Sequence, residues 1–246
     1  MSVTPYYQDN AVQIFCGDCR EIVPTLGRFD ATITDPPYSS GGQFRSDRSL
    51  APSAKYVNTD SVWGCRKEFS GDNLDQRAFL SWAGLWLTEC HEQSNDGAII
   101  MLFTDWRQLP IMSDALQHGG WVWRNIVTWW KPGIRMQRGR PSGSAEYILY
   151  GSRGVPNAGD KSPQNVLKIA PVTGNDKEHI AEKPVELLRE LVSVTPLEAT
   201  ILDPFAGSCT TGRAAKDLGR KCVCIEREER YCEIGARRMQ QEVLTL

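Results

Sequence analysis

A chain of 246 residues with 41% hydrophobic and 24% charged side chains can bury the core of one α/β domain with insertions, and is too short for two full ones. A formal net charge of −2 excludes a surface coated in positive potential, so any nucleic-acid surface must be local. No apolar run approaches the roughly 20 residues of a membrane span, and "MSVTPYYQDN" has neither the basic segment nor the apolar core of a signal peptide, so a cytoplasmic protein is expected.

Hydrophobic periodicity and breakers give the elements in chain order. A strand near Val12 to Phe15 leads through the turn "CGDC" to a short helix over Arg20 to Leu26, and Phe29 to Thr34 ("FDATIT") reads as a buried parallel strand. Residues 39–72 have no sustained period and are too long for an ordinary connection, which marks them as mobile or functional. A helix over Leu74 to Gln93, a buried strand over Gly97 to Phe103 and a helix between Asp105 and His118, stopped by Gly119 and Gly120, follow. Trp121 to Trp130 and Glu146 to Gly151 are strands that bracket "KPGIRMQRGR", a loop with no acid, and residues 152–176 are again irregular. Lys183 to Thr195 reads as a helix with Pro184 in its first position, and the remainder alternates: strand "ATILD", helix Thr210 to Leu218, strand "KCVCIE", helix Glu228 to Val243. Alternation of this kind predicts a parallel sheet with right-handed crossovers.

The eight cysteines are expected to be reduced thiols in a cytosolic chain. Cys16 and Cys19 form a Cys-x-x-Cys pair, but their close-spaced companions Cys222 and Cys224, one residue apart on a strand, match a zinc site poorly, so no metal is expected.

Two stretches carry chemistry. After the Phe29–Thr34 strand comes Asp35-Pro36-Pro37-Tyr38. The prolines cannot donate to a sheet ladder and hold their φ near ~−65°, so they end the strand and fix its tip. Asp35 and Tyr38 then sit on a stiff platform at the carboxyl end of a parallel strand, where open α/β sheets bind ligands. Taken alone, the tetrad is equally a turn with an exposed tyrosine. The second stretch, "DPFAGSCTTGRAA" (Asp203 to Ala215), follows "ATILD". Gly207, Ser208 and Gly212 remove bulk at a strand-to-helix turn so that a ligand can approach the backbone, and Thr210 or Thr211 can cap the helix. No Gly-Lys-Ser/Thr follows, so this is not a phosphate loop, and it is not the six-residue dinucleotide fingerprint. The next strand ends at Glu226, where a carboxylate can take the hydroxyls of a ribose. Read alone, this too could be a mere tight turn.

Together, "DPPY" upstream, "DPFAGSCTTG" downstream and "HIAEKPVELL" (His179 to Leu188) just before the latter resemble the β class of S-adenosylmethionine-dependent DNA amino-methyltransferases, in which the target motif precedes the cofactor motif. The resemblance covers Val12 to Tyr38, Gly97 to Gly151 and His179 to Gly235. It implies a Rossmann-like methyltransferase fold with permuted motif order, a mostly parallel seven-stranded sheet and helices on both faces. The chain would be a single methyltransferase domain over 1–246, with irregular target-recognition segments at about 39–72 and 131–178. The implied activity is site-specific transfer of a methyl group to adenine N6 in double-stranded DNA by base flipping, within restriction-modification of a bacterium or phage. An Asp in the tetrad favours adenine N6 over cytosine N4, the main competitor.

By the same resemblance the target-side residues are Asp35, Pro36, Pro37 and Tyr38. The cofactor S-adenosylmethionine would be held by Asp203, Phe205, Ala206, Gly207, Ser208, Thr210 and Thr211, with Asp35 also lining its site, Glu226 on the ribose, Lys183 near the methionine carboxylate and Asp18 toward the adenine amine. Asp18 is equally read as part of a strand-ending turn. The sequence departs from the family pattern at Cys209, where a second glycine is usual, and at Ile180, where proline is usual. Cys209 must avoid positive φ or carry strain. The basic path for DNA is assigned to Lys131, Arg135, Arg138 and Arg140 with Arg45, Arg48 and Lys55. Trp121, Trp123, Trp129 and Trp130 are read as core and interface, and a homodimer is expected. The rival readings are an RNA or protein amide methyltransferase, which usually carries its tetrad after the cofactor turn, and a nucleic-acid-binding relative that has lost the cofactor.

Overall fold

The computed structural model describes residues 3–38, 74, 76–134, 138–139, 141–157, 159, 161–172 and 182–241. Among these residues the order is β1 (Tyr7–Gln8), β2 (Val12–Cys16), α1 (Cys19–Ile22) with a 3-10 turn at Val23–Thr25, β3 (Phe29–Thr34), α2 (Gln76–Glu92), β4 (Ser94–Thr104), α3 (Leu109–His118), β5 (Val122–Trp130), β6 (Ala145–Ser152), β7 (Val166–Lys168), α4 (Val185–Val192), β8 (Thr200–Asp203), α5 (Thr210–Asp217), β9 (Lys221–Glu226) and α6 (Glu229–Gln240).

The strands form one sheet in the order β1-β2-β9-β8-β3-β4-β6-β5-β7. Strands β2, β9, β8, β3 and β4 run parallel, while β6 is antiparallel to both β4 and β5. The seven expected strands are the contiguous middle of this sheet. The described sheet nevertheless has nine, because β1 and β7 add one strand at each edge. Elements of two and three residues carry too little periodicity to be seen in a sequence, and β7 lies in a segment read as irregular.

Alternation along the strands builds two cores. Ile14, Ile33, Ile99, Met101, Phe103, Ile201 and Cys224 face one side, covered by α4, α5 and α6 through Leu187, Leu191, Ala214, Cys232 and Met239. Phe15, Ile100, Leu102, Leu202 and Ile225 face the other, covered by α1, α2 and α3 through Ile22, Phe79, Trp86, Leu87, Met112 and Leu116. Each such large apolar side chain contributes about 1.5–3 kcal/mol on burial. The glycine stop after α3 is as expected, with the Gly119 N–H donating to the Ala115 carbonyl. Pro184 precedes α4 with ψ 135° instead of occupying its first position.

The topology sets the site. From β3 the chain crosses to β4 on one side, and from β8 it crosses to β9 on the other, so the order reverses between the adjacent strands β3 and β8. A crevice opens at the carboxyl ends of strands at such a point. Both motifs end there.

Candidate active site

A cleft of about 670 Å³ lies at this edge and is lined by Asp35 to Tyr38, Lys183, Asp203 to Ser208, Thr210, Thr211 and Glu226. Its volume suits a nucleoside-sized ligand. The two motifs, far apart in the chain, are joined at the floor by the Thr34 hydroxyl, which donates to Asp203 Oδ1 at 2.7 Å.

On the β3 side, Pro36 is buried, and Asp35 and Tyr38 beside it are half-buried. Both Asp35 oxygens are engaged: Oδ2 by the Lys183 ammonium and Oδ1 by the Tyr38 hydroxyl. The same ammonium lies 5.2 Å from the Phe103 ring centroid and 5.7 Å from that of Tyr38. Burial raises the Asp35 pKa and is not fully offset by Lys183. Burial pulls the other way on Lys183, but the carboxylates of Asp35 and Glu146 outweigh it and keep the ammonium charged.

Glu146 was missed by the sequence reading. It opens β6, which runs antiparallel to β4, so its first residues arrive at the carboxyl end of β4 beside Asp105. Its Oε1 pairs with Lys131, and its Oε2 lies 3.5 Å from Lys183. Burial raises its pKa, but the two ammoniums prevail and lower it. A sequence cannot distinguish a parallel from an antiparallel strand here, and only the antiparallel choice brings this acid to the site.

On the β8 and β9 side, the carboxylates are held by backbone and hydroxyl groups. Asp203 accepts from the Phe205 N–H at 3.2 Å as well as from Thr34, and Thr211 also bonds to it. Burial dominates, and the Asp203 pKa rises to about 6. Glu226 accepts from the Gly207 N–H at 2.9 Å and the Glu228 N–H at 2.8 Å, which fixes its carboxylate toward the cleft. Burial raises its pKa too. Phe205 closes the apolar wall against Trp82 and Trp86, with ring centroids 5.6 Å and 4.9 Å away. Fixed acceptors, an apolar wall and a glycine turn at Gly207, whose φ is 50°, fit the ribose, base and backbone approach of a nucleoside cofactor.

Cys209 precedes α5 with φ 58° and ψ 39°, so of the two outcomes open to it the strained one holds, at a cost of about 1–2 kcal/mol. Its neighbour makes room: a Cβ on Gly235 of α6 would meet the Cys209 sulfur at 2.4 Å. Neither threonine caps the helix by its side chain. Thr211 is turned to Asp203, and the Thr210 hydroxyl accepts from Arg238 at 2.8 Å. Arg238 also pairs with Glu182, tying the segment before Lys183 to the cofactor turn. Sequence reading missed this pair, since nothing local joins residues on separate elements.

Asp18 lines the cleft as the N-cap of α1, and Arg20 holds its side chain through Nε at 3.0 Å and Nη2 at 2.7 Å. The Arg20 contacts lower its pKa against burial. Among the residues assigned to DNA, Lys131 turns into the cleft onto Glu146, and Arg138 is exposed in a turn. Arg45, Arg48, Lys55, Arg135 and Arg140 lie outside the described residues, as do His179 and Ile180. Trp121 and Trp129 are buried, whereas Trp123 and Trp130 are exposed on β5. No metal-binding group of three or more His, Cys, Asp or Glu occurs among the described residues, and no described helix is long and apolar enough to cross a membrane.

The family model for DNA methylases of the N6/N4 type matches residues 29–237. The chain is similar to the type II methyltransferase M2.MboI of Moraxella bovis, 24% identical over 98% of this chain and 93% of that protein. It is likewise similar to M.SmaI of Serratia marcescens, 27% identical over 92% of this chain and 90% of that one. Among solved structures, the M1.HpyAVI complex with S-adenosylmethionine superposes with a TM-score of 0.68 at 22% identity, covering 94% of this chain and all (100%) of that one. The cytosine-N4-specific PvuII DNA methyltransferase superposes with a TM-score of 0.74 at 15% identity, over 99% and 91% of the two chains. These likenesses establish a shared fold, and the family match covers both halves of the cleft. The chain belongs to the N6/N4 DNA methylase family: it is a site-specific DNA methyltransferase whose methyl donor is S-adenosylmethionine.

Proposed function

We propose that this enzyme methylates N6 of an adenine extruded from double-stranded DNA. The observation that carries the reading is the position of Asp35, held by two prolines at the tip of β3 and facing the glycine turn of β8 across the switch point. S-adenosylmethionine supplies an electrophilic methyl group on a sulfonium. Glu226 would hold the cofactor's ribose hydroxyls, the turn Asp203 to Thr211 would line its site, Lys183 would take the methionine carboxylate and Asp18 the adenine amine.

Asp35 and the Pro36 carbonyl accept the two hydrogens of the target amine and turn its lone pair toward the cofactor side. Positioning of this kind lowers a barrier by several kcal/mol. Asp35 then takes the proton that the methylated nitrogen sheds, and its raised pKa suits that step. Extruding the base costs a few kcal/mol. Stacking on Tyr38 returns about 1–3 kcal/mol. An Asp in the tetrad, where Ser goes with cytosine N4, supports adenine. In this reading the chain is a single methyltransferase domain acting as a homodimer, with segments 39–72 and 131–178 reading the DNA.

The test is methyl transfer from labelled S-adenosylmethionine to unmethylated bacterial DNA, followed by nucleoside analysis and modification-sensitive sequencing. N6-methyladenine in one short motif is the expected product. N4-methylcytosine would keep the amine chemistry and replace the base, and absence of any transfer would overturn the reading.

A further inference from the structure

Glu146 has no part in the scheme above, yet it contacts the cation that holds Asp35. The chain of charges runs Lys131, Glu146, Lys183, Asp35, with the Tyr38 hydroxyl closing it. Both Asp35 oxygens are taken, one by the Lys183 ammonium and one by Tyr38. Each carboxylate oxygen can accept a second hydrogen bond, but an amine that comes to Asp35 competes with these two donors for its charge, and the Lys183 ammonium, which has a second acid beside it, is the one able to yield. Displacing Lys183 leaves the charge of a side chain only 10% exposed without its carboxylate, which is strongly unfavourable unless another anion is at hand.

Such an anion is present. Glu146 Oε1 is engaged by Lys131, whereas its buried Oε2 makes no hydrogen bond of good geometry with any described residue. That oxygen lies 3.5 Å from the Lys183 nitrogen. A shift of under about 1 Å turns this contact into a hydrogen bond.

We propose that Glu146 is a positioning residue that receives the Lys183 ammonium when the target amine takes Asp35. The inference rests on the reading of Asp35 as the amine's acceptor. Glu146 is suited to the exchange because it is held as a carboxylate while Lys183 is held as an ammonium, so the hand-over moves no proton. An ammonium has three donors, so Lys183 can hold Glu146 and a methionine carboxylate together once it has left Asp35. The simpler role, neutralising Lys131, accounts for Oε1 but not for the contact of Oε2 with Lys183.

The experiment compares the wild type with Glu146→Gln, Lys131→Met and the double variant. Two quantities are read: affinity for S-adenosylhomocysteine by calorimetry, and the single-turnover rate of methyl transfer to unmethylated DNA at saturating cofactor. Glu146→Gln is expected to keep its affinity and to lose rate by on the order of a hundredfold, the size of a small misplacement at a reacting centre. Adding Lys131→Met should not restore it. Recovery in the double variant would assign Glu146 to neutralising Lys131 alone and overturn the proposal. A loss of affinity in proportion to the loss of rate would also overturn it, by assigning Glu146 to the cofactor. If Glu146→Gln does not fold, as judged by circular dichroism, Glu146→Asp keeps the charge and draws the oxygen back by one methylene; an undiminished rate in that variant would refute the hand-over. A wild type that methylates DNA alongside an equally active Glu146→Gln sinks this inference alone. A wild type that transfers no methyl group to DNA sinks the functional reading and this inference with it.

Discussion

The two halves of the cleft hold their acids by opposite means. At the carboxyl ends of β3 and β4, Asp35 and Glu146 are neutralised by the ammoniums of Lys183 and Lys131, long side chains that can change partner. At the tips of β8 and β9, Asp203 and Glu226 are held by hydroxyls and backbone N–H groups, donors carried on or next to the main chain. The first arrangement suits a half that must admit and release a large polymeric substrate. The second suits a half that presents a fixed shape to a small cofactor, where preorganised acceptors avoid the cost of ordering on binding. The difference also sets proton affinity: with two lysines against it Glu146 stays low, whereas burial lifts Asp203, with no cation in contact among the described residues, to about 6.

The sharpest way to separate the halves is Asp35→Ala. Methyl transfer is expected to fall by about 10³-fold or more, the scale of losing an acceptor that both orients and deprotonates. Cofactor affinity, measured by calorimetry, should persist. Loss of both together would mean that the halves are one site energetically.

Next in size is the titration of Asp203. A buried acid whose pKa is raised from 3.8 to about 6 lends the fold stability below its unfolded value, and that stability is lost as pH rises through about 6. The swing between pH 4 and pH 7 is about 3 kcal/mol at most by linkage. Urea midpoints of the wild type should fall across this window relative to Asp203→Asn, which carries no titrating group there. Parallel profiles for the two proteins would show that the hydroxyl and N–H contacts hold Asp203 as an ordinary carboxylate.

Gly235→Ala tests the strained turn. Its new Cβ would meet the Cys209 sulfur at 2.4 Å, and a destabilisation of about 1–3 kcal/mol is expected, as for other overpacked cores. The cost should largely vanish in a Cys209→Gly background, which also frees the left-handed position. Additive effects in the double variant would break the link between this pair. The smallest effect expected is for Glu226→Gln, which retains an acceptor but loses the charge. Affinity for S-adenosylhomocysteine should weaken by about tenfold, the worth of a charge-assisted hydrogen bond over a neutral one, with little change in the single-turnover rate at saturating cofactor.

The sequence by itself determined the elements with strong periods and the two motifs. Alternating strands and helices from Lys183 onward fixed the β8-α5-β9-α6 arm, and Asp-Pro-Pro-Tyr and the Gly207 turn marked two strand ends, because proline and glycine act through local backbone geometry. Only the tertiary structure decided what stands opposite those ends. The antiparallel insertion of β6 beside β4 brought Glu146 to Lys183, and the packing of α6 over the cofactor turn brought Arg238 to Thr210 and Gly235 to Cys209. Strand direction and contacts between distant elements follow from the burial of whole faces, and no short stretch of residues encodes a partner that lies dozens of residues away.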